Sequence, residues 1–140
     1  MILYLDTSAL VKLYVAESGT ERVATAVERA TALATVRITY AEARAAFARH
    51  ARTKGLGRGA LRRVVRQLDE EWGQYSIVEV SDALVRRAGV LAERHRLRGY
   101  DAVQLSAAAD LRLGGATDVA FASFDARLNQ AARREKLGLL

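Results

Sequence analysis

The first fourteen residues read MILYLDTSALVKLY, and the fold turns on how the junction at Leu5-Asp6-Thr7-Ser8 is understood. Ile2 to Leu5 is a short apolar run of strand formers. Thr7 or Ser8 can cap a helix that carries Ala9, Leu10, Leu13 and Tyr14. A buried strand that passes directly into a helix is the first half of a strand-helix-strand unit. Asp6 at such a junction has two readings: a carboxylate satisfied locally as a helix cap, or the first member of a site. The choice depends on whether other acids arrive at equivalent positions.

Moving outward, Gly19 breaks the first helix, and Glu21 to Ala32 reads as a second one, with Val23, Ala26, Val27 and Ala30 on one face. Leu33 to Val36 is a second strand. Thr39 with Glu42 three residues later has the spacing of a capping box, followed by a helix from Tyr40 to about Arg52. Arg58 to Trp72 keeps helical spacing at Leu61, Val64, Val65, Leu68 and Trp72, with Arg62, Arg63 and Arg66 on the opposite side. Tyr75 to Val80 reads as a strand, and Ser81 opens a helix through Leu84, Ala88 and Leu91 to Leu97. Asp101 to Leu113 is apolar nearly all round, as befits a helix buried against a sheet, and Gly114-Gly115 ends it. Val119 to Ser123 is a fourth strand, after which Asp125 leads into a last helix ending near Gly138. Four short strands separated by helices predict an α/β fold with a parallel sheet covered on both faces.

With 140 residues, of which 51% are hydrophobic, the chain is sized for a single domain spanning 1–140. No cysteine is present, which excludes disulfides and thiolate metal sites. The apolar runs are too short for a membrane span, so a soluble, cytoplasmic protein is expected. The net charge is +6, and 19 of the 22 basic residues are arginine, the side chain whose fork suits phosphate. That balance favours an anionic partner, although a GC-rich genome also produces an Arg- and Ala-rich composition. The cluster Arg58, Arg62, Arg63 and Arg66 is the candidate basic strip, and Arg96 and Arg98 lie nearer in sequence to Asp101.

In an open parallel sheet the functional crevice lies at the carboxyl ends of the strands. Asp6 follows the first strand, Glu42 lies just beyond the second, Asp125 is two residues past the fourth, and Asp101 starts a buried helix aimed at the same edge. Asp118 precedes its strand and belongs to the opposite edge, whereas Asp69, Glu70, Glu71, Glu93 and Asp110 fall on solvated helix. Each of the four chosen acids alone is explained as well by capping or by the helix dipole. Four together repel one another unless something positive joins them. With no cysteine and only His50 and His95, both read as surface or half-buried residues, the cation that suits such a set is Mg²⁺ or Mn²⁺. On a basic chain this chemistry points to cleavage of a phosphodiester.

The stretches "YLDTSALVKLY", "ITYAEARAAFAR", "LRGYDAVQLSAA" and "FASFDARLNQAARREKLGL" resemble, in order and spacing, the four acidic motifs of PIN-domain proteins, specifically the VapC-type toxins of bacterial toxin–antitoxin pairs. One departure is a long segment between Asp101 and Asp125, with "RLGGATD" before the last strand. The resemblance implies a three-layer α/β/α sandwich and a Mg²⁺- or Mn²⁺-dependent endoribonuclease. It implies that Asp6, Glu42, Asp101 and Asp125 bind metal, supported by the hydroxyls of Thr7, Ser8 and Ser123. It also implies an RNA substrate, a homodimer, and a cognate antitoxin protein for which the helix carrying Leu10, Leu13 and Tyr14 is a candidate grip. Two other readings compete: a non-catalytic basic nucleic-acid-binding module whose acids only cap helices, and an aspartyl-phosphate phosphotransferase with Asp6 as nucleophile. The second expects an acid at position 8, where this chain has Ser8.

Overall fold

The computed structural model describes all 140 residues. Its five strands are β1 (Ile2–Leu5), β2 (Ala32–Val36), β3 (Ser76–Val78), β4 (Val119–Ala122) and β5 (Gly138–Leu139). The helices are α1 (Thr7–Val11), α2 (Thr20–Arg29), α3 (Thr39–Thr53), α4 (Arg58–Glu71), α5 (Asp82–His95), α6 (Gly99–Leu113) and α7 (Ala126–Arg134). The strands form one sheet in the order β3-β2-β1-β4-β5, every neighbouring pair parallel. The expected four-stranded sheet therefore has a fifth member. It is two residues long and lies at the edge, too short for any periodicity to announce it.

Side chains of the central strands alternate between two cores, because successive residues of a strand point to opposite faces. Tyr4, Ala34, Val36, Val119 and Phe121 face α5, α6 and α7, where Leu84, Leu91, Leu105, Ala108 and Leu128 meet them. Leu3, Leu5 and Ala122 face the other way, onto Leu10, Val23, Ala43, Phe47 and Leu68 of α1 to α4. The result is a three-layer α/β/α sandwich. Tyr4 and Phe121 are paired on adjacent strands and stack with ring centroids 5.5 Å apart and planes only 5° from parallel. Trp72 serves as an apolar anchor, edge-on to Tyr40 at 5.3 Å.

Several local expectations change. The first helix is capped by Asp6 itself, whose side chain accepts the Ala9 amide, and not by Thr7 or Ser8; it also ends at Val11, short of Tyr14. The strand expected over Tyr75 to Val80 shortens to three residues because the first turn of a 3₁₀ helix (Trp72–Gln74) occupies the chain up to Tyr75. Thr39 lies inside α3 and its hydroxyl is drawn into the core to Thr35 at 2.9 Å, so the capping box with Glu42 does not form. The "RLGGATD" segment is the end of α6 and a turn with Gly115 at φ +105°, on the amino side of β4, so it leaves the position of Asp125 undisturbed. No helix is long and apolar enough to cross a membrane.

Phe121 is fully buried and holds Tyr4 by stacking. Phe121→Ala is expected to cost about 3–5 kcal/mol, read as a fall in the urea midpoint; a loss under 1 kcal/mol would contradict this packing.

Candidate active site

Strand order 3-2-1-4-5 puts the topological switch between β1 and β4, the place where the chain departs in opposite directions and leaves a crevice at the carboxyl edge. Asp6 extends β1 at that point, its amide bonded to the Ala122 carbonyl of β4 at 3.0 Å. Asp125 follows β4 on the other side of the crevice. Glu42 and Asp101 come from the first turns of α3 and α6, one helix from each face of the sheet. The four acids line one open cleft of roughly 480 Å³, together with Thr7, Ser8, Lys12, Arg49, His50, Tyr100 and Gln104. Asp118 stays at the opposite edge, its carbonyl accepting the Ile2 amide at 2.9 Å.

Each acid is held differently. Asp6 is 4% exposed, and its Oδ1 accepts the Ser8 hydroxyl at 2.7 Å and the Ala9 amide at 2.9 Å. Ser8 in turn accepts the Phe124 amide at 2.9 Å, so one hydroxyl ties the end of β1 to the loop after β4. Asp125 accepts the Leu128 amide at 2.8 Å, and its own amide donates to Ser123 Oγ at 3.1 Å. Both residues are thus genuine caps as well as cleft residues. Glu42 Oε1 accepts Gln104 Nε2 at 3.0 Å. No protein donor reaches the Asp101 side chain, which capping therefore does not explain.

Burial pushes the Asp6 carboxyl up from the ordinary 3.8 to about 6, against the hydrogen bonds of Ser123, Ser8 and Ala9 that pull it down, with a smaller upward push from Asp101. Asp101 is also raised, first by its partial burial and then by the charges of Asp125 and Glu42, with Arg98 opposing. The four acids are therefore electrostatically one group centred on Asp101. As the side chains stand, no three of them surround a common point closely enough to cage an ion by themselves. An all-oxygen set under mutual repulsion fits Mg²⁺ or Mn²⁺, which retain several waters and take only one or two carboxylates directly.

The basic residues divide between two grooves. Arg62 and Arg66 line a separate groove with Arg44, between α3 and α4, and none of Arg58, Arg62, Arg63 and Arg66 borders the acid cleft. Arg49, which is exposed, and His50, half-buried as expected, do border it. Arg98 interacts with Tyr100, its Nη1 donating to the hydroxyl at 3.1 Å, and feels both Asp101 and Asp125. His95 instead meets Glu135 at 2.6 Å and does not line the acid cleft. Of the candidate grip, Leu10 is fully buried core; Leu13 and Tyr14 are half-buried. Sequence reasoning missed Gln104, Tyr4, Thr35 and Thr39, a buried polar string beneath the cleft. The signal for it was weak: one glutamine three residues after Asp101 on an otherwise apolar helix face.

Fold and site together define an α/β nuclease-like class in which acids converge at the carboxyl edge of a parallel sheet. The PIN domain family model matches residues 3–134, and the chain belongs to that family. It is 34% identical over 131 residues to the protein named Ribonuclease VapC49 of Mycobacterium tuberculosis (strain ATCC 25618 / H37Rv), an alignment covering 94% of this chain and 89% of that one. The identity and coverage are the same for Ribonuclease VapC45 of Mycobacterium tuberculosis (strain CDC 1551 / Oshkosh). Among solved structures, FitAcB from Neisseria gonorrhoeae superposes with a TM-score of 0.70 at 18% identity, covering 100% of this chain and 96% of that one. VapBC-1 from nontypeable Haemophilus influenzae gives 0.68 at 16% identity, covering 100% and 97%. These likenesses carry the fold.

The raised Asp6 gives a prediction with a definite sign. The folded state holds the Asp6 proton more tightly than the unfolded chain, so this stabilisation is complete below pH 3.8 and disappears as pH rises through about 6. The charged form costs on the order of 3 kcal/mol when no cation is bound. Asp6→Asn keeps an oxygen for Ser8 and Ala9 without the charge. In chelator, urea unfolding should find the variant equal to wild type at pH 4 and more stable by about 2–3 kcal/mol at pH 7; a variant less stable at pH 7 would contradict the assignment.

Proposed function

We propose that this protein is a divalent-cation-dependent endoribonuclease of the VapC type, the toxin of a toxin–antitoxin pair, and that residues 1–140 form one nuclease domain acting in the cytoplasm. The observation that carries the reading is Asp101: a half-buried carboxyl with no hydrogen-bond donor from the protein, facing Glu42 and Asp125. A capping role accounts for Asp6 and Asp125 but leaves Asp101 and Glu42 without a structural reason. The ribonuclease relatives and the PIN family support the same activity. The neighbours named VapBC support an antitoxin as the protein partner. Nothing in the site favours the phosphotransferase reading: position 8 is Ser8, whose hydroxyl is committed to Asp6.

In this reading Asp6, Glu42, Asp101 and Asp125 hold Mg²⁺ or Mn²⁺. The bound cation supplies positive charge against the oxygens that turn negative during phosphodiester hydrolysis and makes water a better nucleophile there. Ser8, Ser123 and the Ala9 amide hold Asp6 in one orientation, so its charge is aimed before substrate arrives. Arg49 and Arg98 flank the cleft and bind the RNA backbone on either side of it, with exposed Tyr100 beside Asp101 as a surface on which an unpaired base can stack.

Two measurements test this. Asp101→Ala should lower RNA cleavage in Mn²⁺ by about a thousandfold or more while the unfolding midpoint stays put; a variant with full activity would sink the proposal. With Asp101→Ala as a non-cleaving background, Arg49→Ala should weaken binding of single-stranded RNA and reduce the slope of log K against log salt by about 0.7. An unchanged slope would remove Arg49 from the phosphate path.

A further inference from the structure

Gln104 is 2% exposed and lies one turn beyond Asp101 on α6. Its Oε1 accepts the Tyr4 hydroxyl at 2.7 Å. Its Nε2 is 3.0 Å from Glu42 Oε1, 3.0 Å from Thr39 Oγ1 and 3.1 Å from Thr7 Oγ1. The Glu42 carboxylate only accepts hydrogen bonds, so the NH₂ end of the amide must face it and the carbonyl end must face Tyr4. Tyr4 is immobilised by full burial and by its stack on Phe121. One side chain thus joins the central strand, α1, α3 and α6, reaching from one helical layer to the other across the carboxyl edge of the sheet.

Packing alone does not call for an amide here. The other buried positions of α6 are Ala102, Leu105, Ser106, Ala107 and Ala108, Ser106 donating its hydroxyl to the Leu84 carbonyl, and a leucine at 104 would fill similar volume without burying polar atoms of its own. What an amide supplies and a leucine does not is a neutral donor to an acid that its neighbours repel. Glu42 and Asp101 push against each other, and a long glutamate on an open cleft would otherwise turn away into solvent. The bond from Gln104 fixes Glu42 Oε1 and leaves Oε2 with no protein partner.

We propose that Gln104 is the positioning residue of the acid cluster, holding Glu42 against the repulsion of Asp101 and thereby setting the affinity of the site for a divalent cation. This rests on the metal-dependent reading above. Mn²⁺ binding to the full chain, measured by calorimetry without RNA, tests it. Gln104→Leu should weaken Mn²⁺ binding at least tenfold, the size of effect found when groups that orient metal ligands are removed, alongside a lower unfolding midpoint because the buried Tyr4 hydroxyl loses its acceptor. In a Glu42→Gln background, the same substitution should cause less than a twofold further loss, because there is no longer a carboxylate to hold. A purely structural role would leave the coupling with Glu42 at zero.

Tyr4→Phe keeps the core shape and removes only the bond behind Gln104. It should weaken Mn²⁺ binding in the same direction, and it carries the test if Gln104→Leu does not fold. Wild-type affinity in both variants, or equal losses with and without Glu42, would overturn the role of Gln104 while leaving the nuclease reading intact. Absence of Mn²⁺ binding by the wild type would overturn both.

Discussion

The feature on which the rest depends is a carboxylate buried at the end of the central strand. A charged Asp6 at 4% exposure is expensive, and the structure meets that cost with a short hydroxyl bond from Ser8 and an amide from Ala9. Those same contacts begin α1 and, through the Phe124 amide, bind the loop that presents Asp125. The junction is therefore a cap, a strand terminus and a site at once. Capping and function are not rivals at this residue: the cap orients the acid, and the remaining charge is what a cation can use.

The second constraint is that the acids come from opposite layers. Glu42 belongs to the layer of α1 to α4, and Asp101 to the layer of α5 to α7. Sheet twist and core packing determine how α3 and α6 approach the edge only to within the slack of their apolar contacts. The string Tyr4–Gln104–Glu42, with the Thr35 and Thr39 hydroxyls beside it and Thr35 bonded to the Leu5 carbonyl at 2.8 Å, removes that slack. A fully bonded polar network inside an apolar layer specifies one arrangement where greasy contacts tolerate several. Core packing builds the sandwich, and the polar string sets the register of its two halves at the edge where chemistry occurs.

Much of this was legible in the chain because the informative patterns are long or punctuated. The period of α4 and the all-round apolarity of α6 identified both helices, and the rule that acids past a strand share an edge brought Asp6, Glu42, Asp101 and Asp125 to one cleft. What sequence could not disclose depends on tertiary position. Thr39 has a capping residue's neighbours, yet its hydroxyl turns inward because Thr35 and Gln104 offer better partners in the core. The arginines of α4 keep perfect helical spacing and still face away from the cleft, since a stripe shows that residues share a side but not what lies on that side. β5 escaped because two residues pairing with β4 need no pattern of their own. Gln104 escaped because one polar residue on an apolar face reads as noise until its partners, far apart in sequence, are seen beside it.

The charge distribution carries one further consequence. The chain is +6 overall, but the cleft that would receive RNA is lined by five acids, of which Glu17 is paired with Lys12 and the other four have no cation beside them in an ion pair. An RNA strand drawn in by the net charge and by Arg49 or Arg98 meets repulsion at the point where its phosphate must sit. A divalent cation reverses that local sign, so each bound species favours the other, and by linkage RNA strengthens cation binding by the factor with which the cation strengthens RNA binding. On the proposed function, the arginines fix where the strand lies and the acids make its tight seating conditional on the cation. The burial that raises Asp6 sharpens the condition: below about pH 6 that acid is protonated in the cation-free protein, and proton and cation compete for the same buried oxygen pair.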